Sequence, residues 1–266
     1  MLFLAYCYPR YRRISFKLLL TKFSDFLLSV LVIIQVRTDS KRLPNKVLMK
    51  IKDKPILQHI VSSLKYCKKI DQIIVATSTL KADDQIEKLC SKMKVKCFRG
   101  SSSNVLKRYY DCAKKFHGDI IVRITGDNPL IDPTIVDKAI SLLIKKKFDY
   151  VSNMVHQSFP IGYLVEVFTF STLKRMFDCH VDNQSKEHVT FQLRKNPKEF
   201  KIGEFFAPKN KQRPNWRLTV DYLDDLNLIK KIYFKLYNPD SFIKYNDVFN
   251  FLENNPKLLE INKENS

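Results

Sequence analysis

LVIIQVRTDSKRLPNK, residues 31 to 46, joins a short apolar run to a loop that carries four cations. Leu31 to Val36 is rich in β-branched residues, the pattern of a strand in a sheet covered by crossover helices. The loop that follows has neither a Walker lysine nor G-x-G-x-x-G spacing, so neither a P-loop nor a dinucleotide fold is indicated. It offers Arg37, Lys41, Arg42 and Lys46 beside Ser40, on a turn at the carboxyl end of a strand, where open α/β sheets bind ligands. Charge-assisted donors placed there suit the oxygens of a nucleoside triphosphate and a departing pyrophosphate. A solvated basic loop would carry the same charges, so charge alone decides nothing.

Downstream, strand-like and helix-like stretches alternate. A helix is predicted from Pro55, capped by Asp53 or the residue after it, with Ile56, Ile60 and Leu64 on its buried face. Strands are predicted at 73–76, 95–98 and 120–124, and helices at 82–90 and 105–116. Asp132 and Pro133 open a further helix as N-cap and first-turn residue, turning Ile135, Val136, Ala139, Ile140 and Leu143 to the sheet. After Tyr150 the alternation loosens into a loop, a strand at 164–170 and helical segments near Leu173 and His188, which reads as an insertion spanning about 153–210. The chain then returns with a strand at 216–220 and a helix at 223–237. The division is therefore an extension over 1–30, a core over 31–240 and a C-terminal helix with a polar, frayed tail over 241–266.

The first thirty residues combine Arg10, Arg12 and Arg13 with Leu18 to Leu20 and Phe26 to Leu28. Their apolar run is far shorter than the roughly 20 residues a membrane span needs, so no stable insertion is expected. The 266 residues carry a formal net charge of +20, which favours anionic partners. Most of the excess is scattered lysine with no nucleic-acid-binding motif, and a nucleic-acid partner is not indicated. Six cysteines without a Cys-x-x-Cys pair, mostly inside apolar stretches, point to buried thiols in a reducing compartment, hence a cytoplasmic protein.

Thr125, Gly126 and Asp127 directly follow the strand at 120–124. A carboxylate there, with a glycine that lets the backbone come close, is where a phosphate-bound Mg²⁺ would be held; a turn-capping Asp before Pro129 is the alternative. Asp224 and Asp225 read as caps of the helix at 223–237.

Several ordered motifs together resemble the sugar-nucleotide cytidylyltransferases, which include the CMP-Kdo and CMP-acylneuraminate synthetases. The resemblance is strongest to the branch of the spore coat polysaccharide biosynthesis protein F. It rests on Arg37, Ser40, Arg42, Leu43, Pro44 and Lys46, then DQIIVATST at 71–79, FRGSSSNVLKRYY at 98–110, RITGDNPLIDP at 123–133 and WRLTVDYLDDL at 216–226. It implies a Rossmann-like nucleotide-diphospho-sugar transferase fold: an α/β architecture whose mostly parallel sheet has helices on both faces, with a small acceptor and dimerisation insertion. It implies a Mg²⁺-dependent transfer of CMP from CTP to a sugar or sugar acid, for surface polysaccharide or glycan assembly, by a homodimer. Arg37 and Lys46 would bind the triphosphate, Ser40 and Arg42 would shape the loop, and Asp127 and Asp221 would hold the metal. Ala76, Thr77, Gly100 and Ser101 would line the base pocket. Arg108 either reaches the nucleotide or pairs on the surface.

The acceptor side departs from the family pattern. Where the family has Phe-Pro-Asp-Gly-Leu-Asp-Val-Glu, this chain has Ile161 and Leu164 in place of both aspartates, while Glu166 is kept. The branch usually has Asp where this chain has Asn104, and a small residue where it has Asp39. Glu187 and His188 match the branch's Glu-His pair, so that with Glu166 they form the candidate acceptor set; His188 either orients an acceptor hydroxyl or is a buried, hydrogen-bonded histidine. Two other readings stay open: a nucleotidyltransferase using another NTP or a sugar- or polyol-phosphate acceptor, and a catalytically idle basic binding protein.

Overall fold

The computed structural model describes residues 28–179 and 183–265. Most of the extension, with its arginine and leucine clusters and Cys7, lies outside the described residues. The run at 31–36 forms β1 (Val30–Gln35), and the loop ahead of the first helix holds a short hairpin, β2 (Lys50–Ile51) with β3 (Lys54–Pro55). Further strands are β4 (Gln72–Ser78), β5 (Lys96–Gly100), β6 (Ile120–Thr125), β7 (Tyr150–Ser152), β8 (Glu166–Thr169) and β9 (Ile202–Glu204). Seven of them make one sheet in the order β5-β4-β1-β6-β8-β7-β9. The pairs of β1 with β4 and β6, β4 with β5, and β7 with β9 are parallel, whereas β8 runs antiparallel to β6 and β7.

Both faces of β1 are covered, which explains its unbroken apolar sequence. Because side chains alternate across a strand, Val32 and Ile34 join one core with α1 (Ile56–Leu64) and α4 (Pro133–Lys146), while Leu31 and Ile33 join a second with α3 (Val105–Lys115) and α5 (Phe170–Asp178). The remaining helices are α2 (Asp84–Met93), α6 (Asn183–Glu187), α7 (Phe191–Lys195), α8 (Leu223–Leu236) and α9 (Tyr245–Glu253). The chain builds outward from β1 to β4 and β5, then crosses back to place β6 on the other side of β1. The carboxyl ends of β1 and β6 therefore flank the switch point of the sheet.

Several expectations change. The first helix has Pro55 as its N-cap, with no side-chain cap bond, so Asp53 does not cap it. The segment 216–220 is not a sheet strand: Arg217 makes a single parallel bridge to Ile161, and Val220 N donates to Asp127 O at 2.8 Å. Leu218 and Val220 are buried and Trp216 is half-buried, but no long partner lies beside the segment. Residues 153–210 contribute β8 and β9 to the main sheet, and the tail is not frayed, since Pro256–Asn265 winds as a 3₁₀ run against the core. Among the five described cysteines, all unpaired thiols, Cys90 and Cys112 are buried, Cys67 and Cys97 half-buried and Cys179 exposed.

Asp132 caps α4 as expected, Oδ1 accepting from Thr134 N at 2.8 Å, but its other oxygen also accepts from Tyr245 N at 2.8 Å. An amide can replace only one of these acceptors. Asp132→Asn should therefore lower stability by about 1–2 kcal/mol in chemical denaturation, and stability equal to the parent's would show that the bond to Tyr245 contributes nothing.

Candidate active site

Gly126 is where the site starts. The chain leaves β6 by turning against β1: Gly126 N donates to Gln35 O at 2.9 Å, and a Cβ on Gly126 would meet Val36 Cγ1 at 2.4 Å. Only glycine fits, and the turn delivers Asp127 to the sheet edge. Thr125 Oγ1 donates to Asp127 Oδ1 at 2.6 Å and itself accepts from Asn128 Nδ2 at 2.9 Å, which orients the carboxylate.

Asp127 Oδ2 meets Lys46 Nζ at 2.8 Å, and the same ammonium lies 2.8 Å from Asp221 Oδ1. Two carboxylates far apart in sequence thus converge on one cation. Asp221 Oδ1 also pairs with Arg42 Nη2 at 2.7 Å, and its Oδ2 with Arg217 Nη2 at 2.6 Å. Burial by itself would raise the Asp221 pKa, but the hydrogen bond and charge of Lys46, with Arg217 and Arg42, hold it below the usual carboxylate value.

In front of this network is a cleft of about 290 Å³ lined by Arg37, Ser40, Arg42, Lys46 and Asp127 on one side and by Glu187 and His188 on the other. Gln35 and Arg123 also face it. Phosphate-loop and acceptor candidates therefore share one cavity. Arg37 Nε lies 3.3 Å from Asp39, so the family departure at residue 39 supplies a surface partner for that arginine.

The base-pocket candidates stand one and two strands away. Ala76 and Thr77 are fully buried near the end of β4, and Gly100 closes β5 opposite Ser78. A Cβ on Gly100 would meet Arg108 Cγ at 3.0 Å, so the glycine makes room for Arg108. That residue is not a surface pair: it is 1% exposed, with Nη1 donating to Ser101 O at 2.6 Å and Nε without a partner. Burial pushes its pKa down. Asn104 caps α3, its side chain accepting from Lys107 N at 2.8 Å, as an aspartate would.

Two features were not read from the sequence. Asp83 accepts from Thr38 N and Oγ1 at 2.8 Å and from Ser78 N at 3.1 Å, clasping the root of the phosphate loop to the end of β4. Glu166 is 2% exposed, and its carboxylate is engaged by Arg123 and by Tyr150 OH at 2.7 Å. It stands behind the cleft, and Arg123 is the member of the pair that faces it. Arg123 and Glu166 lie directly opposite in β6 and β8.

A family model described as cytidylyltransferase matches residues 31–255. The chain belongs to the cytidylyltransferase family. An uncharacterized protein of Methanocaldococcus jannaschii is 40% identical over 237 residues, covering 88% of this chain and 95% of its own. The spore coat polysaccharide biosynthesis protein SpsF of Bacillus subtilis is 32% identical over 234 residues, covering 85% and 95%. A solved cytidylyltransferase from Leptospira borgpetersenii superposes with a TM-score of 0.83 at 30% identity, covering 87% of this chain and 97% of that one. This cytidylyltransferase is accordingly a nucleotidyltransferase enzyme, and its cleft occupies the switch point where such a sheet binds ligands.

Burial would raise the Glu166 pKa, but the charge of Arg123 and hydrogen bonds from Thr190, Tyr150 and Arg123 hold it below the ordinary 4.5. A depressed carboxyl contributes stability that is complete above its ordinary pKa and is lost as pH falls through the depressed value. Glu166→Gln leaves Arg123 buried and uncompensated, so near neutral pH it should cost about 3–5 kcal/mol. Denaturation curves from neutral into acid pH should show the gap to the parent narrowing below the ordinary value; a constant gap would contradict the ion-pair assignment.

Proposed function

We propose that this cytidylyltransferase transfers CMP from CTP to a sugar or sugar acid, with release of pyrophosphate. The observation that carries the reading is the convergence of Asp127 and Asp221 on Lys46 beside a cleft lined by Arg37 and Arg42. Two carboxylate oxygens gathered around one positive charge fit Mg²⁺, which takes few protein carboxylates and completes its shell with water and phosphate. Among the described residues no group of three or more side-chain ligands forms, which suits a metal that arrives with the nucleotide. When bound, Mg²⁺ would neutralise charge on the phosphate oxygens.

Arg37, Arg42 and Lys46 bind the triphosphate, and Ser40 donates from the same loop. Ala76, Thr77, Gly100 and Ser101 form the base pocket, and the buried guanidinium of Arg108, with its unpartnered Nε, donates to the nucleotide. Glu187 and His188 hold the acceptor from the opposite wall, while Glu166 acts behind them by fixing Arg123. The acceptor hydroxyl oxygen attacks the α-phosphorus, the bond to the bridging oxygen breaks, pyrophosphate carries the electron pair away, and the hydroxyl proton passes to solvent or to the departing pyrophosphate. Positioning and charge neutralisation are the whole demand on the protein, and no covalent enzyme intermediate is required.

The similarity to a protein named for spore coat polysaccharide biosynthesis supports a product destined for surface polysaccharide. The same reading makes the enzyme a cytoplasmic homodimer; its described residues contain no helix long and apolar enough to cross a membrane.

Incubation with each nucleoside triphosphate, Mg²⁺ and a panel of sugars and sugar acids, followed by pyrophosphate release, tests the proposal. Release with CTP well above that with ATP, GTP or UTP is expected. Equal turnover of a purine triphosphate would overturn the cytidine assignment, and binding without release on any acceptor would favour a catalytically idle protein.

A further inference from the structure

The family match ends at residue 255, yet the residues after it reach the site. Leu258, Leu259 and Ile261 pack the 3₁₀ run against the core, and the helical geometry breaks at Asn262, where φ is −124° and ψ is 22°. The break turns the Asn262 side chain inward, leaving the residue 3% exposed. Its Nδ2 donates to Arg217 O at 2.9 Å and to Asp225 Oδ1 at 2.8 Å.

Both partners bear directly on Asp221. Asp225 is fully buried; its Oδ2 accepts from the backbone N–H groups of Asp221 and Tyr222, each at 2.9 Å, and its Oδ1 lies 3.1 Å from Arg217 Nε. Arg217 Nη2 in turn holds Asp221 Oδ2 at 2.6 Å, leaving Oδ1 to face Lys46 and Arg42. We infer that Asn262 is a positioning residue of this enzyme: by tying Arg217 to Asp225 it fixes the direction in which Asp221 presents its carboxylate to the cleft.

The inference rests on the proposed function only for what the presented carboxylate does. An asparagine suits the post because one amide nitrogen supplies two donors to groups that accept only. Buried polar networks of this kind are rigid when every member is satisfied, and they loosen when one is removed. The contribution comes from a polar tail beyond the residues that the family model matches.

Asn262→Leu keeps most of the volume and removes both donations. Two readouts on the full chain test the clamp. Hydrogen exchange without ligand should quicken by about tenfold or more at the Asp221 and Tyr222 amides, with β1 and β6 unchanged, because the loss is local. The Mg²⁺ concentration giving half-maximal CTP binding, read by calorimetry, should rise severalfold, up to the roughly tenfold that losing a direct partner of a metal ligand costs. Unchanged exchange at those two amides overturns the proposal, as does equal quickening throughout the sheet, which would mark Asn262 as a general packing residue. Should leucine prevent folding, Asn262→Ala is read by the same criteria. A parent protein that binds no CTP would defeat the proposed function, while the exchange data would still decide the clamp.

Discussion

One ammonium group organises this site. Lys46 Nζ stands 2.8 Å from a carboxylate that follows β6 and 2.8 Å from one that precedes α8, and it reaches both because the phosphate loop folds back across the end of β1. Each element of the geometry serves that meeting. Gly126 permits the turn that brings Asp127 to the edge, and Asp127 O then accepts from Val220 N at 2.8 Å, which ties the approach of Asp221 to the same turn. Asp83 pins the loop at Thr38. Lysine in this place is a point charge on a flexible stem, which under the proposed function could follow phosphate oxygens when a cation takes its position between the carboxylates.

The two walls of the cleft are built on different principles. One wall carries Arg37 and Arg42, both about half exposed and paired with Asp39 and Asp221 through contacts that solvent weakens, so an anion can compete for their guanidinium groups. On the other side is a largely buried pair, Arg123 with Glu166, whose carboxylate Tyr150 also engages. An exposed pair gives adaptable binding at little cost, whereas a buried pair contributes a fixed shape and penalises loss of either partner. Arg108 resembles neither, being a buried guanidinium with an unsatisfied Nε beside the end of β5.

Local signals in the chain were enough to read β1, β4, β5, β6 and β8 and the longer helices between them, whereas β7 and β9, of three residues each, went unread. The apolar run of β1 could be nothing but a strand covered on both faces, and Asp132 with Pro133 marked a helix start because cap and first turn are adjacent residues. What stayed hidden depends on partners far away in sequence. Trp216 to Val220 has the alternation of a strand but makes a single bridge, to Ile161, and then bonds the turn at Asp127 in place of a strand. Asp83 looks like a first-turn helix residue until Thr38, 45 positions earlier, appears against it. Asn262 sits in a polar tail that composition reads as frayed. The Arg123 and Glu166 pair left a usable signal: each is a lone charge inside an otherwise apolar strand, and the register sets them opposite.

A double-mutant cycle on turnover, using Asp127→Asn, Asp221→Asn and the combined variant, probes the shared charge site most directly, with pyrophosphate release from CTP as the readout. If the two carboxylates act as one unit around a single cation, each single change should lower turnover by about 100-fold or more, and the double variant should be little worse than either. Turnover near the parent's in both single variants, or losses that multiply in the double variant, would contradict a common site.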